Sequence, residues 1–170
     1  MQQVDVFLGL GSNLGERLCN LERAIATLSL HLHIRSVSRV YETEPVGFDD
    51  QPPFLNMACH ATTSLKPTDV LRLTQAVEVQ IGRSPTFRNG PRIIDIDILL
   101  FGDVCMRSET LEIPHPGLSL RSFVLVPLAE VAPDFVHPLL HRTVQQLLNE
   151  CDDQHWVHPL HGGQDVSAIR

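Results

Sequence analysis

Val4, Val6, Leu8 and Leu10 recur at every second position, with Asp5, Phe7 and Gly9 between them. A period of two predicts a β-strand, because successive side chains of a strand point to opposite faces. Gly11-Ser12-Asn13-Leu14-Gly15 interrupts the period. It reads as a tight turn in which Ser12 or Asn13 caps the following helix. Leu18, Leu21, Ile25 and Leu28 then fall at helical spacing between Glu16 and Leu30. Ile34 to Tyr41 reads as a second strand, Thr43 to Pro53 as a loop rich in Pro, Gly and Asp, and Phe54 to Thr63 as a third strand. Pro67 stands at the start of a second helix, with Thr68 or Asp69 placed to cap it and Val70, Leu73, Val77 and Ile81 as its apolar stripe. Gly82 to Pro91 is a second long loop, and Ile93 to Phe101 a fourth strand.

Strand, helix, strand, strand, helix, strand is the ferredoxin-like βαββαβ order. It is an α+β fold whose antiparallel sheet carries both helices on one face. Beyond Gly102 only short elements are predicted: an edge strand at Leu111 to Ile113, and helices over Phe123 to Val131 and Thr143 to Cys151. Residues 1–151 read as one domain. Residues 152–170 read as a C-terminal tail with little apolar periodicity, expected to be poorly ordered.

Composition narrows the class. A chain of 170 residues with 43% hydrophobic content can bury one sizeable core and is short for two. A formal net charge of −7 argues against sequence-independent nucleic-acid binding, which needs a basic face. It leaves room for a phosphorylated small molecule, which answers to local charge. Lys66 is the single lysine, so the basic residues are almost all arginine, whose planar fork suits phosphate oxygens. Genomic composition is the simpler explanation of that bias, so position carries more weight than number. Cys19, Cys59, Cys105 and Cys151 are scattered without a CxxC pair, which excludes a zinc ribbon or a thioredoxin-type motif. The N-terminus lacks the basic and long apolar regions of a signal peptide, and no run approaches a membrane span. A cytoplasmic protein with reduced thiols is expected.

The candidate chemistry lies in Arg92-Ile93-Ile94-Asp95-Ile96-Asp97-Ile98-Leu99-Leu100. On a strand Asp95 and Asp97 share a face, their Cα atoms roughly 6–7 Å apart, while Ile94, Ile96, Ile98 and Leu100 share the other. Two carboxylates on so apolar a strand need compensation, unless their face is solvated. Magnesium provides it, taking one or two carboxylates together with phosphate oxygens and water. Arg83, Arg88 and Arg92 bracket the preceding loop and suit a phosphate clamp working with such a metal; solvated surface charges are the alternative. The glycine run Gly9 to Gly15 matches neither a Walker loop nor GxGxxG, so the turn reading stands. His115, between Pro114 and Pro116, is placed to donate to a phosphate, although a lone loop histidine is more often surface decoration. His155, His158 and His161 recur every third residue; zinc is the sharper reading and an incidental polar tail the plainer one.

Taken together, these segments resemble the 6-hydroxymethyl-7,8-dihydropterin pyrophosphokinase family. Arg88 to Leu99 is similar to its signature, Gly9 to Gly15 to its N-terminal segment, and Tyr41-Glu42-Thr43-Glu44-Pro45 and Phe54-Leu55-Asn56 to its pterin-side segments. Ile113-Pro114-His115-Pro116 and Arg121-Ser122-Phe123-Val124-Leu125 resemble later stretches, so the likeness runs from about Val6 to about Pro138.

The resemblance implies attack of a pterin hydroxyl on the β-phosphorus of ATP. It also implies two magnesium ions held by Asp95 and Asp97, with Arg83 and Arg92 assisting catalysis. It points to Thr43, Val46, Phe54, Asn56, Asp95 and Phe123 on the pterin side. On the ATP side it points to Gln75, Glu78, Arg83, Arg88, Arg92, Ile98, His115 and Arg121. Without the resemblance, Phe54 and Phe123 would read as ordinary core. ATP and the pterin are the implied partners, with no nucleic acid or membrane, for a monomer carrying no second folate-pathway domain. Asn89 stands where some members carry a bulky aromatic, Pro116 where some have tyrosine, and Glu44 where proline can occur. Another magnesium-dependent phospho- or nucleotidyl-transferase and a non-catalytic ligand-binding module are the competing functions.

Overall fold

In the computed structural model, which describes residues 2–161, the chain order is β1 (Val4–Ser12), α1 (Arg17–Leu28), β2 (His33–Val37), β3 (Tyr41–Thr43), β4 (Phe54–Thr63), α2 (Pro67–Ile81), β5 (Asp95–Phe101), β6 (Met106–Arg107), β7 (Glu112–Ile113), α3 (Ser122–Val131), α4 (Val144–Glu150) and β8 (Val157–Pro159). β1 pairs with β4 on one side and with β5 on the other. The sheet runs β5-β1-β4-β3-β8, with β2 also on β4, and each of these pairings is antiparallel. β6 and β7 form a separate hairpin.

The alternation of β1 decides the layers. Val6, Leu8 and Leu10 face α1 and α2, where they join Leu21, Ile25, Leu28, Val70 and Val77 in one buried cluster. Phe7 faces the other way, toward Leu125 and Leu128 of α3 and Val144 and Leu147 of α4. The result is a mixed α/β structure with an antiparallel sheet and four helices. The two predicted helices share a face as expected, and the two short C-terminal helices cover part of the opposite face. Each fully buried Leu or Ile in these layers contributes about 1.5–3 kcal/mol relative to exposure.

Several expectations change. β1 continues to Ser12, and neither Ser12 nor Asn13 caps α1, whose cap position is Glu16 without a side-chain bond. Ser12 Oγ instead accepts from Asn20 Nδ2 at 3.2 Å. The strand expected over Ile34 to Tyr41 divides into β2 and β3, which meet different stretches of β4. α2 begins on Pro67 with Lys66 at the cap and no side-chain bond there; Asp69 pairs with Arg72 at 3.1 Å instead. It ends at Gly82, whose φ of 114° suits a residue without a Cβ. β5 starts at Asp95 rather than Ile93. A register shift against Phe7 and Leu8 leaves Leu99 bulged, so Leu100 packs with α3 and α4 while Ile98 stays with α1 and α2. Leu100 therefore does not share the face of Ile94, Ile96 and Ile98.

The tail differs most. Residues expected to be poorly ordered supply β8, which extends the sheet beyond β3. Short-range periodicity could not announce it, because its partner lies more than a hundred residues earlier. The remainder of that tail, residues 162–170, lies outside the described residues. Within them, no helix is long and apolar enough to cross a membrane.

Candidate functional site

Gly9 and Gly11 sit on the β1 face that α3 and α4 leave uncovered, and form the floor of a cleft. A Cβ at Gly11 would come within 2.6 Å of Asn56 Oδ1, so the absence of a side chain there keeps both the floor and Asn56 in place. Thr43, Val46, Phe54, Asn56 and Phe123 stand around this floor, in an opening of about 820 Å³ counted to its mouth. β3 and β4 bring three of them together: Thr43 is paired with Phe54 in the ladder, and Asn56 Nδ2 donates to Thr43 Oγ1 at 2.7 Å. That bond fixes the amide and leaves its oxygen toward the floor.

A second opening, of about 1070 Å³, lies between α2 and the loop after it. Gln75 and Glu78 of α2, with Arg83, Arg88 and Arg92, line it. The openings share a wall of Asn89, Arg92 and Asp95.

That wall is an ion-pair network. Asp95 Oδ1 accepts from Arg83 Nη1 at 2.8 Å and Oδ2 from Arg92 Nη2 at 2.9 Å. Glu78 Oε1 accepts from the same Arg83 nitrogen and from the Ile96 backbone N–H, both at 2.7 Å. Burial pushes the Glu78 carboxyl up, the nearby Asp95 charge adds to this, and the bonds from Ile96 and Arg83 oppose it. Glu78 thus ties α2, β5 and an arginine together. The Arg92 guanidinium also lies 4.8 Å from the centre of the Phe54 ring.

Asp97 is different. Its nearest ionisable neighbour is His115, whose Nε2 lies 3.9 Å from Oδ2. The protein around it raises its pKa to about 7, by burial first and the Asp95 charge second. Its tip nevertheless keeps 46% of the side-chain surface open to the cleft. The carboxylate is crowded by its twin and open to a cation. His115 Nδ1 accepts from the Gly117 N–H at 3.1 Å, which leaves the ring proton on Nε2, facing Asp97. Burial, helped by Arg121, lowers the His115 pKa and keeps the imidazole neutral.

Arg121 lines the first opening beside Phe123. Ile98 is the residue that the fold keeps apart from the rest: its side chain is 4% exposed and packs against α1 and α2, on the strand face opposite Asp97. The histidines of the tail do not converge. His155 pairs with Asp153, His158 stacks on Trp156, and among the described residues no three metal-ligating side chains cluster.

Sequence reasoning passed over Asn13 as a site residue. It is 2% exposed and joins both long loops: Nδ2 donates to Gln51 Oε1 and the Pro52 carbonyl, Oδ1 accepts from the Arg92 N–H, and its own N–H donates to the Arg92 carbonyl. Gln51 Nε2 continues the link to the Asn89 carbonyl, and Phe48 meets Phe87 edge-on at 5.0 Å. Asn89 has φ of 60°, a left-handed conformation that asparagine tolerates and a bulky aromatic does not. The Gly-Ser-Asn turn held a signal for Asn13, a polar side chain among glycines, which the turn reading spent on capping α1.

The model of the 7,8-dihydro-6-hydroxymethylpterin-pyrophosphokinase (HPPK) family matches residues 7–133. The chain is 42% identical over 145 residues to the 2-amino-4-hydroxy-6-hydroxymethyldihydropteridine pyrophosphokinase of Aquifex aeolicus, covering 85% of this chain and 91% of that one. With the protein of the same name from Bacillus subtilis it is 47% identical over 127 residues, covering 74% and 76%. It is 43% identical over 142 residues to the Folic acid synthesis protein FOL1 of Dictyostelium discoideum, 84% of this chain but 22% of the length of that relative. Wild-type HPPK-DHPS of Plasmodium falciparum has a similar fold, with a TM-score of 0.71 at 17% identity over 88% of this chain and 45% of that one. The family match runs from β1 into α3 and so takes in every side chain of both openings: the chain belongs to the 7,8-dihydro-6-hydroxymethylpterin-pyrophosphokinase family.

Proposed function

We propose that the chain transfers pyrophosphate from ATP to 6-hydroxymethyl-7,8-dihydropterin, giving the pterin diphosphate and AMP in folate biosynthesis. The observation that carries this reading is the wall of Asn89, Arg92 and Asp95 common to both openings. A nucleotide on the α2 side and a pterin on the β3–β4 side would meet there. The names of the relatives from Aquifex aeolicus and Bacillus subtilis support the same activity.

The pterin hydroxyl oxygen bonds to the β-phosphorus and gives up its proton to water. The bond from that phosphorus to the oxygen bridging it to the α-phosphate breaks, and AMP leaves with that oxygen. Such a transfer depends on alignment and charge neutralisation. Phe54 and Phe123 suit the faces of a flat heterocycle, and Asn56 with Thr43 suits its polar edge. Gln75, Glu78 and Arg88 hold the nucleotide, with Ile98 meeting it through the β5 backbone. Arg83 and Arg92 turn from Asp95 toward the polyphosphate. His115 and Arg121 donate to it from the opposite wall.

Asp95 and Asp97 are the ligands for two magnesium ions. The donor set fits, because Asp97 is crowded, open and without a close cation among the described residues. Bound magnesium supplies neutralisation of the phosphate charge. The βαββαβ core suits a ferredoxin-like assignment, and a cytoplasmic monomer fits the family reading. The test is AMP release from ATP and magnesium with and without the pterin. Pterin-dependent AMP establishes the activity; ADP, or AMP independent of the pterin, refutes it.

A further inference from the structure

The last described segment touches the pterin side of the cleft from behind. Asp153 Oδ2 accepts from the Ser122 N–H at 2.8 Å and from Ser122 Oγ at 2.9 Å. Asp153 Oδ1 meets His155 Nδ1 at 2.5 Å and the His155 N–H at 3.1 Å. Ser122 Oγ donates to the carboxylate and not to the imidazole, so this Ser–Asp–His set holds structure and makes no nucleophile.

Ser122 is the first residue of α3, and Phe123 follows it in the cleft wall. The residue at the cap position is Arg121, which has no side-chain capping bond. Arginine is poorly suited there: it lacks an acceptor, and its charge opposes the positive end of the helix. Asp153, 31 residues away, supplies both the acceptor and the negative charge. Position 121 is thereby free to carry an arginine that faces the cleft. The same segment braces the other wall. β8 pairs with β3, so that Val157 lies opposite Thr43. The Glu44 N–H donates to the Trp156 carbonyl, and Glu44 Oε2 accepts from the Trp156 N–H, both at 3.1 Å. A proline at position 44 would have neither group to offer.

We infer that Asp153 is a positioning residue for the pterin side of the cleft, acting through Ser122 to set Arg121 and Phe123. It is the anchor of a strap, Asp153 to Pro159, that holds β3 and α3 at the spacing the pterin requires. The strap lies beyond residues 7–133, where the family model matches. It contacts β3, Glu44 and α3, all on the first opening. The second opening is lined from α2 and the loop 83–92, which the strap does not reach. The inference rests on the pterin pyrophosphokinase reading, and it predicts an effect on one substrate rather than on the fold as a whole.

The test is calorimetry on the full chain with magnesium and a non-hydrolysable ATP analogue, followed by titration with 6-hydroxymethylpterin. In Asp153→Ala the Kd for the pterin is expected to rise about fivefold while that for the analogue moves less than about twofold, the size of effect that loss of a helix cap produces. Asp153→Asn, which keeps an acceptor for the Ser122 N–H, should recover part of the loss. Ser122→Ala removes one of the two bonds and should give a smaller rise in the same direction, so the outcome does not depend on Asp153→Ala folding. Gln154→Ala is the control and should match the parent. Unchanged pterin binding in Asp153→Ala, or equal weakening of both ligands, overturns the inference while leaving the activity intact. A parent chain that binds no pterin overturns the functional reading and the inference with it.

Discussion

The two sides of the cleft are built differently. The first opening, proposed for the pterin, is made from hydrogen-bonded elements, with Thr43 and Asn56 on adjacent strands, Phe123 on a helix, and β8 and Asp153 behind them. The second opening, proposed for the nucleotide, is a helix face and a loop, on which Phe87 leaves 57% of its surface exposed and Arg88 is exposed as well. Rigid framing suits a flat heterocycle that must be read by shape. A loop rich in arginine suits a flexible polyphosphate that must be gathered and neutralised. The shared wall shows how the two are joined before any ligand arrives. Arg83 and Arg92 are held by Asp95, so they are already in the cleft, and a polyphosphate has only to replace the carboxylate as their partner.

The largest effects should come from breaking that wall. Asp95→Ala and Asp97→Ala are each expected to lower kcat by roughly 10³-fold or more, since a metal ligand supplies several kcal/mol of transition-state stabilisation. Their stabilities should diverge. Asp95→Ala strands two arginines and lowers Tm, whereas Asp97→Ala removes a crowded charge and leaves Tm unchanged or raised. Steady-state rates with thermal melts separate the two, and equal destabilisation would contradict the asymmetry. Next comes Arg92→Ala, expected to cost about 10²-fold in kcat/KM, as loss of a charge-stabilising donor does. Arg107→Ala, whose side chain is 83% exposed on the β6–β7 hairpin, should cost almost nothing.

The uneven legibility of the chain follows the same division. Asp95 and Asp97 were visible because strand alternation is local, and the arginines because they cluster within twelve residues of Asp95. The stripes of α1 and α2 were equally plain. The same alternation set Ile98 against the core, which conflicts with the nucleotide contact carried over from the family unless that contact is through the backbone. What remained invisible depends on residues far apart in the chain. β8 needs β3, the cap of α3 needs Asp153, and the bulge at Leu99 needs the register of β1. Asn13 sat in a recognised motif, yet its role exists only because two loops converge on it.

Asn13 offers a smaller and more diagnostic perturbation. Asn13→Ala removes the side-chain bonds to Gln51, Pro52 and Arg92 from a buried site, a loss worth about 1–3 kcal/mol. It should uncouple the two sides rather than abolish chemistry. Hydrogen exchange is expected to quicken in residues 44–53 and 84–92 together, with kcat/KM down by about tenfold. Faster exchange in only one loop would show that Asn13 does not join them.

Asp97 also sets a pH dependence. Its folded pKa is raised to about 7 from an ordinary value of 3.8, so between those limits the folded chain holds a proton that the unfolded chain has released. Stability therefore falls as pH rises through that window, and the cost is complete above it. This is the reverse of a salt-bridged carboxylate such as Asp153, which hydrogen bonds from His155 and Ser122 hold down at about 2 although burial opposes them. That contribution is present above about pH 4 and is lost only as pH falls toward 2. Asp97→Asn removes the first slope and leaves the second. Melts of the ligand-free chain should show Asp97→Asn more stable than the parent near pH 8 and equal to it near pH 4. Magnesium with an ATP analogue should then stabilise the parent at pH 8 but not the variant, because only the parent keeps a charge there for a cation to meet. A variant whose advantage is the same at both pH values would mean that Asp97 ionises freely, and that the crowding of the two carboxylates does not set its charge.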